Sequence, residues 1–142
     1  MNVVIVYTTR TGKTKKLAEA MEERIIEEGS KVDLFTASEV EAKTLLDYDL
    51  VLLGSSTYGD GELLEEFDTL YADMDTIDMT GKRSACFGSG STNYPQFCNA
   101  VNLLESKLID RGAKIASDSY KISGPVMFDL DYAADWAVKM IS

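Results

Sequence analysis

Two short runs, Val3-Val4-Ile5-Val6-Tyr7 and Leu50-Val51-Leu52-Leu53-Gly54, carry no charged residue and almost no polar one. A strand with one wet face alternates polar and apolar residues, so an unbroken apolar run predicts a central strand covered on both faces. Helical patterns follow each run. Leu17, Ala18, Met21 and Ile25 trace one apolar helix face that ends at Gly29, and Leu63, Leu64, Phe67, Leu70, Tyr71 and Met74 repeat at helical spacing. Lys31 to Phe35 alternates like a half-buried strand, and Ser84 to Gly88 reads as a further strand. Pro95 suits the first position of a helix whose inner stripe is Phe97, Val101, Leu104 and Leu108, with Gly112 as its stop beyond Lys107 and Arg111. A last strand from about Ala113 to Ile122, broken by polar residues, and a helix from about Asp129 to Met140 complete the order. Five strand–helix alternations without linkers or repeats predict one α/β domain over residues 1–142. Its parallel sheet would carry helices on both faces and bind ligands beyond the carboxyl ends of the strands.

Three loops must meet at that end. Thr9-Arg10-Thr11-Gly12-Lys13-Thr14 joins the first strand to the first helix, so hydroxyls and backbone amides collect where a phosphate would dock. Arg10, Lys13, Lys15 and Lys16 crowd the start of that helix, where the macrodipole is already positive and each cation costs about 0.3–1 kcal/mol. A phosphate monoester, with a charge of about −1.5 to −2, reverses the sign of that penalty. The second loop, Ser55-Ser56-Thr57-Tyr58-Gly59-Asp60-Gly61, and the third, Ser89-Gly90-Ser91-Thr92-Asn93-Tyr94, are small and polar, with one aromatic each. Tyr58 and Tyr94 could flank a flat heteroaromatic ring. A phosphate site with two aromatic walls points to a mononucleotide.

Charge and composition narrow the function. The chain has a net charge of −10, and residues 60–81 hold Asp60, Glu62, Glu65, Glu66, Asp68, Asp73, Asp75 and Asp78 with no Lys or Arg before Lys82. Such a field repels nucleic acid. The Asp73, Asp75, Asp78 cluster lacks the glycine and terminal glutamate of an EF-hand loop. With no histidine, the usual acid–base group near neutral pH and the common His-containing metal sites are lost, so no catalytic residue and no metal is assigned. Cys86 and Cys98 stand twelve apart, which fits neither a CxxC redox pair nor a zinc site. Reduced thiols, no secretion signal and no membrane-length run make a cytoplasmic location the expectation. Trp136, beside Ala133, Ala137 and Met140 in the last helical pattern, reads as a core residue.

In length, element order and all three loops the chain resembles a short-chain flavodoxin over its whole length. The family's phosphate signature, Ser/Thr-x-Thr-Gly-x-Thr, is met by Thr9, Thr11, Gly12 and Thr14. The resemblance implies a doubly wound five-stranded parallel sheet of order 2-1-3-4-5 and noncovalent FMN. Its phosphate would lie on residues 9–14, and Ser56, Thr57, Ser89, Gly90 and Phe97 count as further cofactor-binding residues with no part of FMN assigned to them. By the same resemblance the ring lies between Tyr58 and Tyr94, Gly59 and Asp60 border its N5 edge, and backbone groups of Ser91, Gln96 and Cys98 meet its pyrimidine edge. Three departures from the family pattern stand out: Lys13 where asparagine is common, Tyr58 for tryptophan, and Ser91 for an acidic residue.

The implied function is that of a low-potential one-electron carrier shuttling between semiquinone and hydroquinone. It would have no substrate turnover of its own and would work as a monomer, its acidic face steering basic redox proteins. A competing reading is a phosphate-loop nucleotide hydrolase, because Gly12-Lys13-Thr14 matches the end of G-x-x-x-x-G-K-[ST]. Against it, position 7 is tyrosine instead of the first glycine, and the second apolar run delivers Gly54 where a magnesium-binding aspartate belongs.

Overall fold

The computed structural model describes residues 1–57, 62–90 and 98–141. β1 (Asn2–Tyr7) lies between β2 (Lys31–Thr36) and β3 (Leu50–Ser56), and β4 (Arg83–Ser89) pairs with the far side of β3. All of these pairings are parallel, and the order β2-β1-β3-β4-β5 is the expected one. Every residue of β3 is buried, as its unbroken apolar run requires, whereas β2 alternates exposed and half-buried positions at the sheet edge.

Strand alternation sends neighbouring residues to opposite faces. Val3, Ile5, Leu50, Leu52, Ala85 and Phe87 pack under α1 (Lys13–Glu27) and α4 (Leu130–Lys139). Val4, Val6, Val51, Leu53 and Cys86 pack under α2 (Asp68–Asp73) and α3 (Asn99–Asp110). The stripe Leu17, Ala18, Met21 and Ile25 is fully buried, and α1 stops as Gly29 adopts φ +89°. Trp136 is half-buried against the first of these cores, its ring 6.3 Å from Phe87 and 5.8 Å from Tyr120. No helix among the described residues is long and apolar enough to cross a membrane.

Three elements depart from the sequence expectation. Residues 36–49 form no α-helix; two 3-10 turns, Ala37–Glu39 and Ala42–Asp47, connect β2 to β3. A reciprocal box between Thr36 and Glu39 starts the first turn, and Val40 returns to extended backbone. The helical spacing from Leu63 to Met74 yields only a six-residue α2 between 3-10 turns at Glu65–Phe67 and Met74–Thr76. Asp73 and Asp75 at its carboxyl end meet the negative pole of the macrodipole, which opposes extension. The last strand is two pieces, β5 (Lys114–Ile115) and β6 (Tyr120–Ile122), both paired with β4. Five positions separate Ile115 from Tyr120 while three separate their partners Ser84 and Phe87, so the edge strand bulges there. The bulge carries Ser117, Asp118 and Ser119, whose polar side chains have no place in a buried ladder. The Asp118 carbonyl instead accepts the Trp136 indole N–H at 2.8 Å.

Candidate functional site at the carboxyl end of the sheet

The chain leaving β1 makes a tight turn before α1. Gly12 sits at φ +91°, a left-handed conformation that costs an L side chain strain, and its N–H donates to the Thr9 Oγ1 at 3.0 Å. The Gly12 carbonyl accepts from Lys16, closing the first turn of α1. No side chain caps this helix and no acidic residue stands in its first turn. The positive end of a fifteen-residue helix therefore faces the crevice without a carboxylate to neutralise it.

Beneath the turn, three buried hydroxyls from three elements meet. Thr14 Oγ1 lies 2.9 Å from Ser56 Oγ and 3.3 Å from Ser89 Oγ, and the two serine oxygens are 3.3 Å apart. Thr14 is fully buried, and Ser56 and Ser89 are each 5% exposed. In a closed triangle each hydroxyl can donate once and accept once, which satisfies all three. The protons can also rotate outward together, giving an incoming anion up to three donors without moving a heavy atom. The Arg10 amide points at the same place, donating to Ser56 Oγ at 3.4 Å.

The neighbouring backbone is clamped. Thr57 N–H donates to the Ser89 carbonyl at 2.9 Å, Thr57 Oγ1 accepts from the Ala100 amide at 3.2 Å, and Gly90 N–H donates to the Ile122 carbonyl at 3.1 Å. A Cβ on Gly90 would stand 2.9 Å from the Cys98 nitrogen, so only glycine lets these segments approach so closely. Cys98 is buried in a left-handed conformation at φ +51°, its thiol directed at the Ile122 carbonyl at 3.7 Å. Burial pushes that thiol up to about 11, and the Cys86 thiol is also raised by burial. Both stay protonated near neutral pH, which rules them out as thiolate nucleophiles there.

Of the residues expected here, Thr9, Arg10, Thr11 and Gly12 build the turn, Lys13 and Thr14 open α1, Ser56 and Ser89 lie beneath them, and Thr57, Gly90 and Cys98 belong to the clamped backbone next to those two serines. Tyr58, Gly59, Asp60, Ser91, Tyr94, Gln96 and Phe97 lie outside the described residues, as does Pro95. Thr8 was not anticipated, and Ser55 was read only as the start of the second loop. Thr8 Oγ1 donates to Ser55 Oγ at 2.9 Å, and Ser55 Oγ donates to the Ser56 carbonyl at 2.8 Å. Their only sequence signal is hydroxyl residues closing two otherwise apolar strands. The acidic stretch is less uniform than its composition suggests, because Lys107 and Arg111 from α3 reach Asp75, Lys107 Nζ at 2.7 Å and Arg111 Nη1 at 4.0 Å. Gly54 ends the apolar part of β3 beside the turn and offers no carboxylate for magnesium, as phosphate-loop hydrolysis would need.

The donor set suits a phosphate monoester: an uncapped helix start with lysines in its first turn and three reorientable buried hydroxyls. The Flavodoxin family model matches residues 5–137. A flavodoxin from Nitratidesulfovibrio vulgaris (strain DSM 19637 / Miyazaki F) is 40% identical over 144 residues, covering 99% of this chain and 97% of its own. Probable flavodoxin 2 of Bacillus subtilis (strain 168) is 43% identical over 121 residues, covering 84% and 80%. The crystal structure of oxidised Flavodoxin 1 from Bacillus cereus superposes with a TM-score of 0.94 at 31% identity, over 99% of this chain and 97% of that one. Sequence and fold agree, and the chain belongs to the flavodoxin family.

Proposed function

We propose that the turn over residues 9–14, with Ser56 and Ser89 beneath it, holds the phosphate of FMN, and that the protein carries single electrons at low potential between redox proteins. Family membership makes it an electron-transfer flavoprotein with FMN as cofactor. The observation that carries the site assignment is the triangle of Thr14, Ser56 and Ser89 hydroxyls under an uncapped helix start. Bound FMN supplies the redox chemistry; the chain positions it and sets its energies.

Thr9, Thr14, Ser56 and Ser89 donate hydroxyl protons to the phosphate, and the amides at the start of α1 add their N–H groups. Arg10 and Lys13 offset the phosphate charge. The loops continuing from Thr57 and Gly90 carry Tyr58 and Tyr94, which the family resemblance assigns to the two ring faces, with Gly59, Asp60, Ser91, Gln96 and Cys98 at the ring edges. Exposed Glu62, Glu65 and Glu66 disfavour added negative charge at this end of the molecule. One carboxylate at about 10 Å costs about 0.4–1.7 kcal/mol for effective dielectrics of about 80 to 20. With about 1.4 kcal/mol equal to roughly 59 mV for one electron, a few carboxylates lower a couple by on the order of 100 mV.

The proposal extends to a monomer in the cytoplasm, without substrate turnover of its own, that docks basic redox proteins on this acidic face. Calorimetry of the flavin-free chain is expected to show one FMN bound per chain, and Thr14→Val is expected to weaken it about tenfold by removing a charge-assisted hydrogen bond of about 1.5 kcal/mol. A chain that does not bind FMN, or a Thr14→Val chain that binds it unchanged, would overturn the site assignment.

A further inference from the structure

We infer that Ser55, with Thr8 behind it, is a positioning residue that aims the Ser56 hydroxyl at the phosphate. The inference rests on the phosphate assignment above. Thr8 directly follows β1 and Ser55 lies one residue before the end of β3, both fully buried, and their hydroxyls form a directed chain. Thr8 Oγ1 donates to Ser55 Oγ at 2.9 Å, and Ser55 Oγ donates at 2.8 Å to the carbonyl of Ser56, the residue whose own hydroxyl enters the triangle.

The surroundings explain why this chain can act on one peptide. Thr8 N–H donates to the Gly54 carbonyl at 3.0 Å, holding the two strand ends in register. On the other side β4 presses against Ser55: a Cβ at Gly88 would stand 2.0 Å from the Ser55 carbonyl oxygen. One residue later, Thr57 is tied through both its amide and its hydroxyl. The Ser56–Thr57 peptide is thus held at its N–H end by the Ser89 carbonyl and at its carbonyl end by the Ser55 hydroxyl. A buried carbonyl that loses its donor turns to find another. The Ser56 carbonyl carbon is bonded to the Cα that bears the side chain, so a shift of this carbonyl toward another donor displaces the Ser56 hydroxyl from its 2.9 Å and 3.3 Å contacts with Thr14 and Ser89.

Neither residue reaches the anion itself, so their effect should appear only with ligands that carry one. The test compares FMN and riboflavin, which share the ring and differ in the phosphate, by calorimetric or fluorescence titration of the flavin-free chain. Ser55→Ala is expected to weaken FMN about tenfold and leave riboflavin within about twofold. Thr8→Val, which keeps the Ser55 donor and its acceptor, is expected to weaken FMN less than threefold, and the double variant to match Ser55→Ala because both act through one bond. Equal weakening of both flavins by Ser55→Ala, or unchanged FMN binding, would overturn the inference. An original chain that binds FMN no more tightly than riboflavin would instead remove the phosphate assignment beneath it.

Discussion

At the scale of single residues, partners set what each charge does. Asp75 belongs to a stretch with no cation nearby in sequence, yet its carboxylate lies 2.7 Å from Lys107 Nζ, which also stands 4.2 Å over the Tyr71 ring. The hydrogen bond from Lys107 holds the Asp75 carboxyl below its ordinary value, with further lowering by the charges of Lys107 and Arg111. A carboxyl lowered on folding stabilises the protein above its unfolded pKa and loses that contribution as pH falls through the folded one. Lys107→Met is therefore expected to lower the urea midpoint at pH 7 and to shrink the loss of stability between pH 5 and pH 2. An unchanged acid dependence in that variant would show that the pair contributes nothing. The same contrast governs the site: Thr9, Thr11, Gly12 and Thr14 were legible because a turn is a local pattern, whereas Thr8 and Ser55 only acquire meaning once β1 and β3 are side by side.

Among the elements, periodicity was a good guide where a long apolar stripe must be buried. The stripes of α1 and α3 are buried at Leu17, Ala18, Met21 and Ile25 and at Val101, Leu104 and Leu108. It misled where polar residues compete. Leu63 to Met74 has helical spacing, but its acidic carboxyl end leaves only six residues of α-helix. The break between β5 and β6 could be read only as a polar interruption, and its form depends on Trp136 taking the Asp118 carbonyl. Trp136→Phe removes that donor and part of the contact with Phe87 and Tyr120. It is expected to lower the unfolding free energy by about 1–2 kcal/mol, read as a lower urea midpoint at constant slope. An unaltered midpoint would mean that the bulge needs no support from α4.

For the molecule as a whole the net charge is −10, and Glu62, Glu65, Glu66, Asp68 and Asp73 are exposed on the side of α2. If this face steers basic redox proteins, stopped-flow association with a donor that has a lysine-rich surface should slow at least tenfold between about 0.01 and 0.5 M salt, as the Debye length falls from about 30 Å toward a few ångströms. Rates independent of salt would remove the steering. The order of strands and helices along the chain, the two buried faces of the central strands and the glycine turn over residues 9–14 were determined by the sequence alone, because burial follows periodicities of two and 3.6 residues and a turn needs only its own glycine and hydroxyls. Tertiary structure decided what those elements share. Thr14 meets Ser56 from 42 positions away and Ser89 from 75, and Lys107 meets Asp75 from 32, contacts set by the parallel register and by which helix covers which face. A linear pattern contains no distance between such residues; only the packed sheet does.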